Sequence, residues 1–163
     1  MISASVALHE QAKIVLGLAP ITPSTSTPDM VSLKNYNRAC CIIAVDNATV
    51  VTGSAITLNQ ATAVANTAGK ALAFDKVYAN LDISATDTLV ETAVTSNTFT
   101  TLTTNNANAL YVIDVREDML DIAGGFDCFN ALTGNAANTA VSVTYILYPA
   151  KYSKATPPAA ITD

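Results

Sequence analysis

The sequence predicts a mostly β protein, a sandwich, jelly roll or barrel of antiparallel strands with little helix, an extended N-terminal arm and a C-terminal tail. Three observations predict it. First, roughly eight to nine short apolar runs recur at about 8–12-residue spacing, separated by Gly, Asn and Asp clusters. Second, Thr and Val fill those runs; the chain holds 22 Thr, a residue suited to a half-wet pleated surface. Third, no stretch shows a helical period. The 28 Ala residues lie scattered among Thr and Val, so their intrinsic helix preference has no amphipathic stripe to organise.

The chain of 163 residues is the length of one domain. Residues 1–29 read as an arm and a Pro-rich linker, 30–150 as the sandwich, and 151–163 as a tail. In the arm, Ser3 or Ser5 is placed to cap a short helix. Its apolar positions follow neither a 3.6 nor a 2 period. Pro20, Pro23 and Pro28 remove donors and favour extended backbone, so the arm is expected to stand apart from the core. Deletion of residues 1–20 is accordingly expected to leave a folded domain.

The first core run, MVSLK from Met30, alternates. RACCIIAVD (38–46) is apolar on both faces and β-branched at its centre, as in a central strand of a packed sheet. Residues 55–64 put Ile56, Leu58, Gln60 and Thr62 on one face, and Asn66–Lys70 reads as a turn. ALAFDKVYANLD (71–82) predicts a strand broken near Asp75 and Lys76. Two short strands flank Ser96 and Asn97. Asn105, Asn106 and Asn108 mark a loop before the strong strand ALYVIDV (109–115). REDMLDIAGG predicts a short helical turn or bulge closed by Gly124 and Gly125, and FDCFNAL a further strand. AVSVTYILY is the cleanest alternation, with Val141, Val143, Tyr145 and Leu147 on one face.

Composition narrows function. Eight basic against thirteen acidic residues give a net charge of -5, which disfavours nucleic acid as a partner. Charged residues are 13 % of the chain, about half the usual ~25 %. No apolar run approaches the ~18 residues of a membrane span. The N-terminus lacks a basic segment before its apolar residues, and His9 to Lys13 interrupt them, so no secretory signal is expected. Cys40, Cys41 and Cys128 make a poor disulfide framework and read as three reduced thiols. Cys40 and Cys41 are neighbours on a strand and face opposite ways, so they do not readily share a metal, and no cofactor is expected.

Catalytic patterns are weak. The single histidine, His9, lies in the arm, away from any G-x-S-x-G elbow. Glu91 with Asp114 or Glu117 is the best carboxylate pair for a glycosidase, but Glu91 reads more simply as a solvated strand residue. Asp114, Glu117, Asp118, Asp121 and Asp127 cluster without EF-hand spacing, and their simpler reading is a surface loop whose acids cap a helical turn. A surface poor in charge with apolar chain ends suits assembly, because interface cores are depleted in charge.

An ordered set of segments carries a resemblance. Val31-Ser32-Leu33-Lys34-Asn35-Tyr36 is followed by a hydrophobic strand ending in Val45-Asp46. Next come Ile56-Thr57-Leu58-Asn59-Gln60-Ala61-Thr62, Ala71-Leu72-Ala73-Phe74 and Ser84-Ala85-Thr86-Asp87-Thr88-Leu89. Tyr111-Val112-Ile113-Asp114-Val115 and Gly125-Phe126-Asp127-Cys128 complete it. In this order the set resembles a family of small tailed-bacteriophage virion proteins, similar to capsid cement or decoration proteins, over about residues 30–150. The resemblance implies a jelly-roll sandwich without catalysis, folded in the host cytoplasm. It would sit outside the phage head, bridge major capsid subunits, and associate with itself as a homo-dimer or homo-trimer. The contacts expected for that role are Val6, Leu8, Ile14, Leu16 and Leu18 in the arm, and Tyr148, Tyr152 and Ile161 near the C-terminus. A β-sandwich module for carbohydrate or a receptor, in a phage tail or baseplate, is the alternative.

Overall fold

The computed structural model describes residues 6–22, 27–48, 51–104, 107–134, 136, 138–152 and 156–162. The capping expectation at Ser3 and Ser5, the loop residues Asn105 and Asn106, and Pro23 lie outside them. Eleven strands are present in the described residues: β1 (Lys13–Ile21), β2 (Val31–Ser32), β3 (Tyr36–Asn47), β4 (Ala55–Ala61), β5 (Lys70–Ala71), β6 (Lys76–Asn80), β7 (Val90–Ala93), β8 (Thr98–Thr100), β9 (Ala109–Arg116), β10 (Cys128–Thr133) and β11 (Thr139–Ala150). Helix is limited to α1 (Leu8–Gln11) and two 3₁₀ turns at Glu117–Met119 and Ile122–Gly124.

The strands form two antiparallel sheets. One is six-stranded in the order β1-β11-β3-β9-β6-β7; the other runs β2-β10-β4-β5, with β8 also on β4. The pairing is nested: β1 lies on β11, β2 on β10, β3 on β9, and β4 on β8. The chain thus behaves as one long antiparallel ribbon whose successive pairs alternate between the sheets. Each sheet turns one face to the other, so strands alternate buried and half-exposed residues. In β11 the inward set is Val141, Val143, Tyr145 and Leu147, all fully buried, as the alternation predicts. Ala39, Cys41, Ile43 and Val45 of β3 and Tyr111, Ile113 and Val115 of β9 join them against Ile56, Leu58, Phe129 and Ala131 of the facing sheet.

Tyr145 fastens the two layers. Its ring meets Phe129 edge-on, with centroids 5.5 Å apart at 80°, a favoured aromatic geometry. Its hydroxyl oxygen accepts the Ala131 N–H at 3.0 Å. Burial pushes the phenol well above its ordinary titration range, so it stays neutral and keeps this role. On the other side its ring occupies the space where Gly17 would carry a Cβ.

The arm and tail depart from expectation. Residues 13–21 are not a free arm: they form the edge strand of the six-stranded sheet. The irregular period has a local cause. The register shifts between Leu16 and Leu18, placing a bulge at Gly17, and a bulge moves every later side chain to the other face. Val15 is in the core, and Leu18 packs against it rather than facing outward. The linker is tied down as well: the Asp29 N–H donates to the Gly17 carbonyl at 2.8 Å, and Met30 is buried.

The C-terminal segment likewise returns to the sandwich. Ala160 is fully buried in the core, and its carbonyl accepts the Ser32 N–H at 2.7 Å. The Tyr36 hydroxyl donates to the Pro158 carbonyl at 2.5 Å. Here β2 is only two residues long, and the returning tail satisfies backbone that its strand partner does not reach.

Tyr145→Phe removes the acceptor of a buried N–H and is expected to lower unfolding free energy by about 1–3 kcal/mol, read from urea denaturation. Gly17→Ala, which forces a methyl into the Tyr145 ring, is expected to cost at least as much. Removing residues 1–20 takes away a paired strand, so a marked fall in melting temperature is expected. An unchanged melting curve for that truncation would return β1 to the status of a dispensable arm.

Candidate functional site

The candidate chemical groups resolve into ion pairs. In the 114–127 segment, Asp114 faces Arg38 at 3.6 Å, Asp118 faces Arg116 at 3.0 Å, Glu117 meets Lys151 at 2.5 Å and Asp121 meets Lys70 at 2.5 Å. Asp121 does most. It caps the second 3₁₀ turn by accepting the Gly124 N–H at 3.0 Å, and its own N–H donates to Gln60 Oε1 at 2.8 Å. The Lys70 ammonium beside it, and then the Gly124 N–H, hold its carboxyl below the ordinary carboxylate range. The same ammonium lies 3.8 Å from the Phe126 ring centroid, a cation–π contact. Among the described residues no three His, Cys, Asp or Glu side chains gather as a metal site would require.

Glu91 lies exposed on β7, with Lys76 Nζ 3.4 Å from its carboxylate. Cys40 and Cys41 do face opposite ways on β3: Cys41 is buried in the core and Cys40 half-buried on the outer side. Burial, and then the Asp114 charge, push the Cys40 thiol above its ordinary value, which disfavours the nucleophilic thiolate. Cys128 is buried, and its thiol donates to Asp127 Oδ1 at 3.0 Å.

The expected contact residues do not form one patch. Val6 and Leu8 are exposed around α1, whose turn is closed by the Glu10 carboxylate accepting the Ala7 N–H at 3.1 Å. Ile14 and Leu16 are exposed on the outward side of β1. Leu18 faces inward. Tyr148 is half-buried on the outward side of β11, while Tyr152 and Ile161 are exposed.

Ile14, Leu16 and Tyr148 lie on a surface the sequence reading did not single out, the outer face of the six-stranded sheet. Register places Ile146 beside Cys40, Thr144 beside Ile42, and Ser142 beside Ala44. Ile42 in turn neighbours Val112, and Ala44 neighbours Leu110; Val112 lies beside Tyr78. All of these side chains are half-buried or exposed, while their chain neighbours fill the core. The middle of this face is therefore largely uncharged on β11 and β3, with Asp114 of β9 beside Cys40 and Glu91 of β7 beside Tyr78. At one end Arg38 and Arg116 are register neighbours, each ion-paired, to Asp114 and Asp118 respectively; Asp46, beside Ala140, lies at the other end.

At the Asp46 end the face is concave. A groove of about 610 Å³ is floored by Ala44, Leu110 and Ser142 and walled by Ile83, Asp87 and Leu89 from the β6–β7 connection, with Pro20 of β1 also lining it. The wall is held by local hydrogen bonds. Asn80 Nδ2 donates to the Thr86 carbonyl at 2.6 Å, and the Ser84 hydroxyl donates to Asp82 Oδ1 at 2.6 Å. That serine hydroxyl is the first cause lowering the Asp82 carboxyl. A signal for this face was present: 38–46 is apolar on both sides, a pattern shared by a strand sandwiched within its own chain and one waiting for a cover.

No family model matches the chain, and no curated protein matches it. Among solved structures, the chain is similar to the SPBc2 prophage-derived protein YomS, with 11 % identity, a TM-score of 0.45, and coverage of 84 % of this chain and 93 % of that one. Among the described residues no helix is long and apolar enough to cross a membrane.

The docked tail carries a pH dependence. Burial pushes the Tyr36 phenol from 10.0 up to about 12, and Tyr145 shifts the same way. The unfolded chain therefore releases these protons first as pH rises, so stability is full below pH 10 and declines as pH climbs towards 12. Melting temperature is expected to drop over that interval, and Tyr36→Phe to flatten part of the drop. A melting temperature constant from pH 9 to 12 would contradict the buried placement of both phenols.

Proposed function

We propose that this chain is a non-enzymatic structural protein of a bacteriophage head, decorating the outer capsid and cementing it by bridging neighbouring major capsid subunits. One observation carries the reading: the molecule presents apolar surface on a broad scale, in a sheet face and its edge strand. Ile14 and Leu16 stand 47 % and 57 % exposed on that edge, and the C-terminal Tyr152 is 64 % exposed. Contiguous uncovered apolar surface of this kind marks a contact with another macromolecule. The ordered segments over residues 30–150 that resemble cement and decoration proteins supply the partner. The nested ribbon pairing supports the jelly-roll description that this resemblance implies.

The physics of the role is consistent with the surface. A shell under internal pressure gains from extra contact across its joints, and a protein that associates with itself as well as with the shell multiplies weak contacts through avidity. A net charge of -5 lessens unwanted adhesion to nucleic acid. Edge strand β1 offers backbone for strand addition over part of its length, although the bulge at Gly17, the Asp29 bond and Pro20 limit how far such pairing runs.

The groove favours a second reading, a binding module for a carbohydrate or receptor in a phage tail or baseplate. Its apolar walls with Asp46, Asp87, Asn80 and Asn108 around them fit a small polar ligand held by a few directed groups. Electron microscopy of a particle containing the chain separates the two: density on the head exterior supports cementing, and density confined to the tail supports the module. In a binding assay with purified heads, Ile14→Glu with Leu16→Glu is expected to weaken attachment on the order of tenfold or more. Unaltered attachment would remove the edge strand from the contact.

A further inference from the structure

We propose that the groove at the Asp46 end of the six-stranded sheet is a socket for a lysine or arginine side chain of a partner protein. The aliphatic stem lies on the apolar floor, and the cationic head meets Asp46 and Asp87. This rests on the reading of the groove as a binding site given above, and it names the chemistry of what enters.

The groove holds charge that the chain leaves unmet. Asp46 of β3 and Asp87 of the β6–β7 connection both line it. Among the described residues neither enters an ion pair or a side-chain hydrogen bond. Other carboxylates differ. Glu91, Asp114, Glu117, Asp118 and Asp121 each face a cation, and Asp82 accepts the Ser84 N–H and hydroxyl. The described cations do not serve the groove. Arg38, Lys70, Lys76, Arg116 and Lys151 are the partners in those five pairs. Register also keeps the cations of this sheet at its far end: Lys13 lies opposite Leu147, Arg38 opposite Arg116 and Lys76 opposite Ala93. The groove forms where Asp46 lies opposite Ala140 and Asn80 opposite Leu110.

The walls decide what kind of cation fits. The two carboxylates share their concavity with Ala44, Ile83, Leu89 and Leu110. Low-dielectric walls around charges of one sign focus the field into a cleft and concentrate the opposite charge there. Lysine and arginine carry a charge at the tip of a methylene stem that packs on apolar surface. An anion is repelled, a bare metal ion leaves the apolar floor unused, and a neutral sugar leaves both carboxylates unmet. Size points to a chain-borne cation. The groove of about 610 Å³ lies within the range of ~300–1,000 Å³ for small-ligand sites, so it accommodates a side chain together with the backbone that carries it. Ile83 and Leu89, 53 % and 42 % exposed, are the apolar wall that such a backbone covers.

Amide NMR titration of the full chain tests this. The probes are capped pentapeptides with lysine or arginine between two pairs of alanines. A norleucine peptide keeps the stem and removes the charge. The cationic peptides are expected to shift the amides of Ala44, Ile83 and Leu110 and to bind about tenfold more tightly than the norleucine peptide. Raising salt from about 20 mM to about 500 mM is expected to erase most of that advantage. Asp46→Asn with Asp87→Asn, both at exposed positions, is expected to keep the melting temperature and to cost the cationic peptides about tenfold in affinity, with the norleucine peptide unaffected. Equal binding of charged and norleucine peptides overturns the charge assignment and leaves a binding groove. Pentylammonium binding more tightly than the lysine peptide overturns the partner-protein source. Shifts with methyl glucoside but with no peptide overturn the proposal and keep the carbohydrate module. An absence of shifts with every probe overturns both the proposal and the reading of the groove as a binding site.

Discussion

The two sheets are held by the packing of their inner rows, and Tyr145 reaches across the gap between them. Its ring fills the layer against Phe129, its hydroxyl accepts a backbone N–H from the opposite sheet, and its flank requires that Gly17 have no side chain. Much follows from this placement. It ties β11 to β10 across the core, and it forces β1 to pass close by. The close approach coincides with a bulge at Gly17, and the bulge divides β1 into two parts. Before it, Ile14 and Leu16 face outward; after it, Leu18 turns to the core. The bulge at Gly17, beside Tyr145, divides the outward Ile14 and Leu16 from the inward Leu18.

The second organising feature is the surplus of apolar residues. A sandwich needs one apolar face per sheet. The central strands of the six-stranded sheet have nearly two. The excess is not a packing requirement of this chain, because the inner rows alone are already fully buried. Meanwhile the carboxylates that resemble chemical machinery on paper are engaged in ion pairs, capping and turns. Exposed pairs of this kind add little stability, but they neutralise the rim and leave the apolar middle as the distinctive part of the surface. The reading as an assembly protein draws on that contrast between a neutralised rim and an uncovered centre.

The chain's ends show how connection differs from attachment. Both were legible as irregular: one lacked a clean period, the other was broken by prolines. Irregular pattern, however, does not mean detached. β1 is irregular because a bulge reverses its phase, and the C-terminal segment is irregular because it docks through carbonyls rather than through a strand. Pro158 lends a carbonyl to Tyr36, and Ala160 fills a buried site with a single methyl. Neither contact has a signature in hydrophobic periodicity, since one uses backbone and the other uses the smallest side chain that can be buried.

The sequence by itself determined the sandwich. Period-2 alternation in 140–148, the two-sided apolar run at 38–46, the strong strand at 109–115 and the turn at Gly124 and Gly125 are local properties, and each reappears in the molecule. It also determined that Cys40 and Cys41 part company, because neighbours on a strand must. Only the tertiary structure decided which partner each strand takes, that β1 belongs to the sheet, that Ala160 is interior, and that among the described residues no strand covers the outer row of one sheet. These are relations between segments up to 120 or more residues apart, as with Tyr36 and Pro158. The physical reason is that alternation tells a side chain to leave one face or the other, whereas what waits on that face is set by the packing of distant chain.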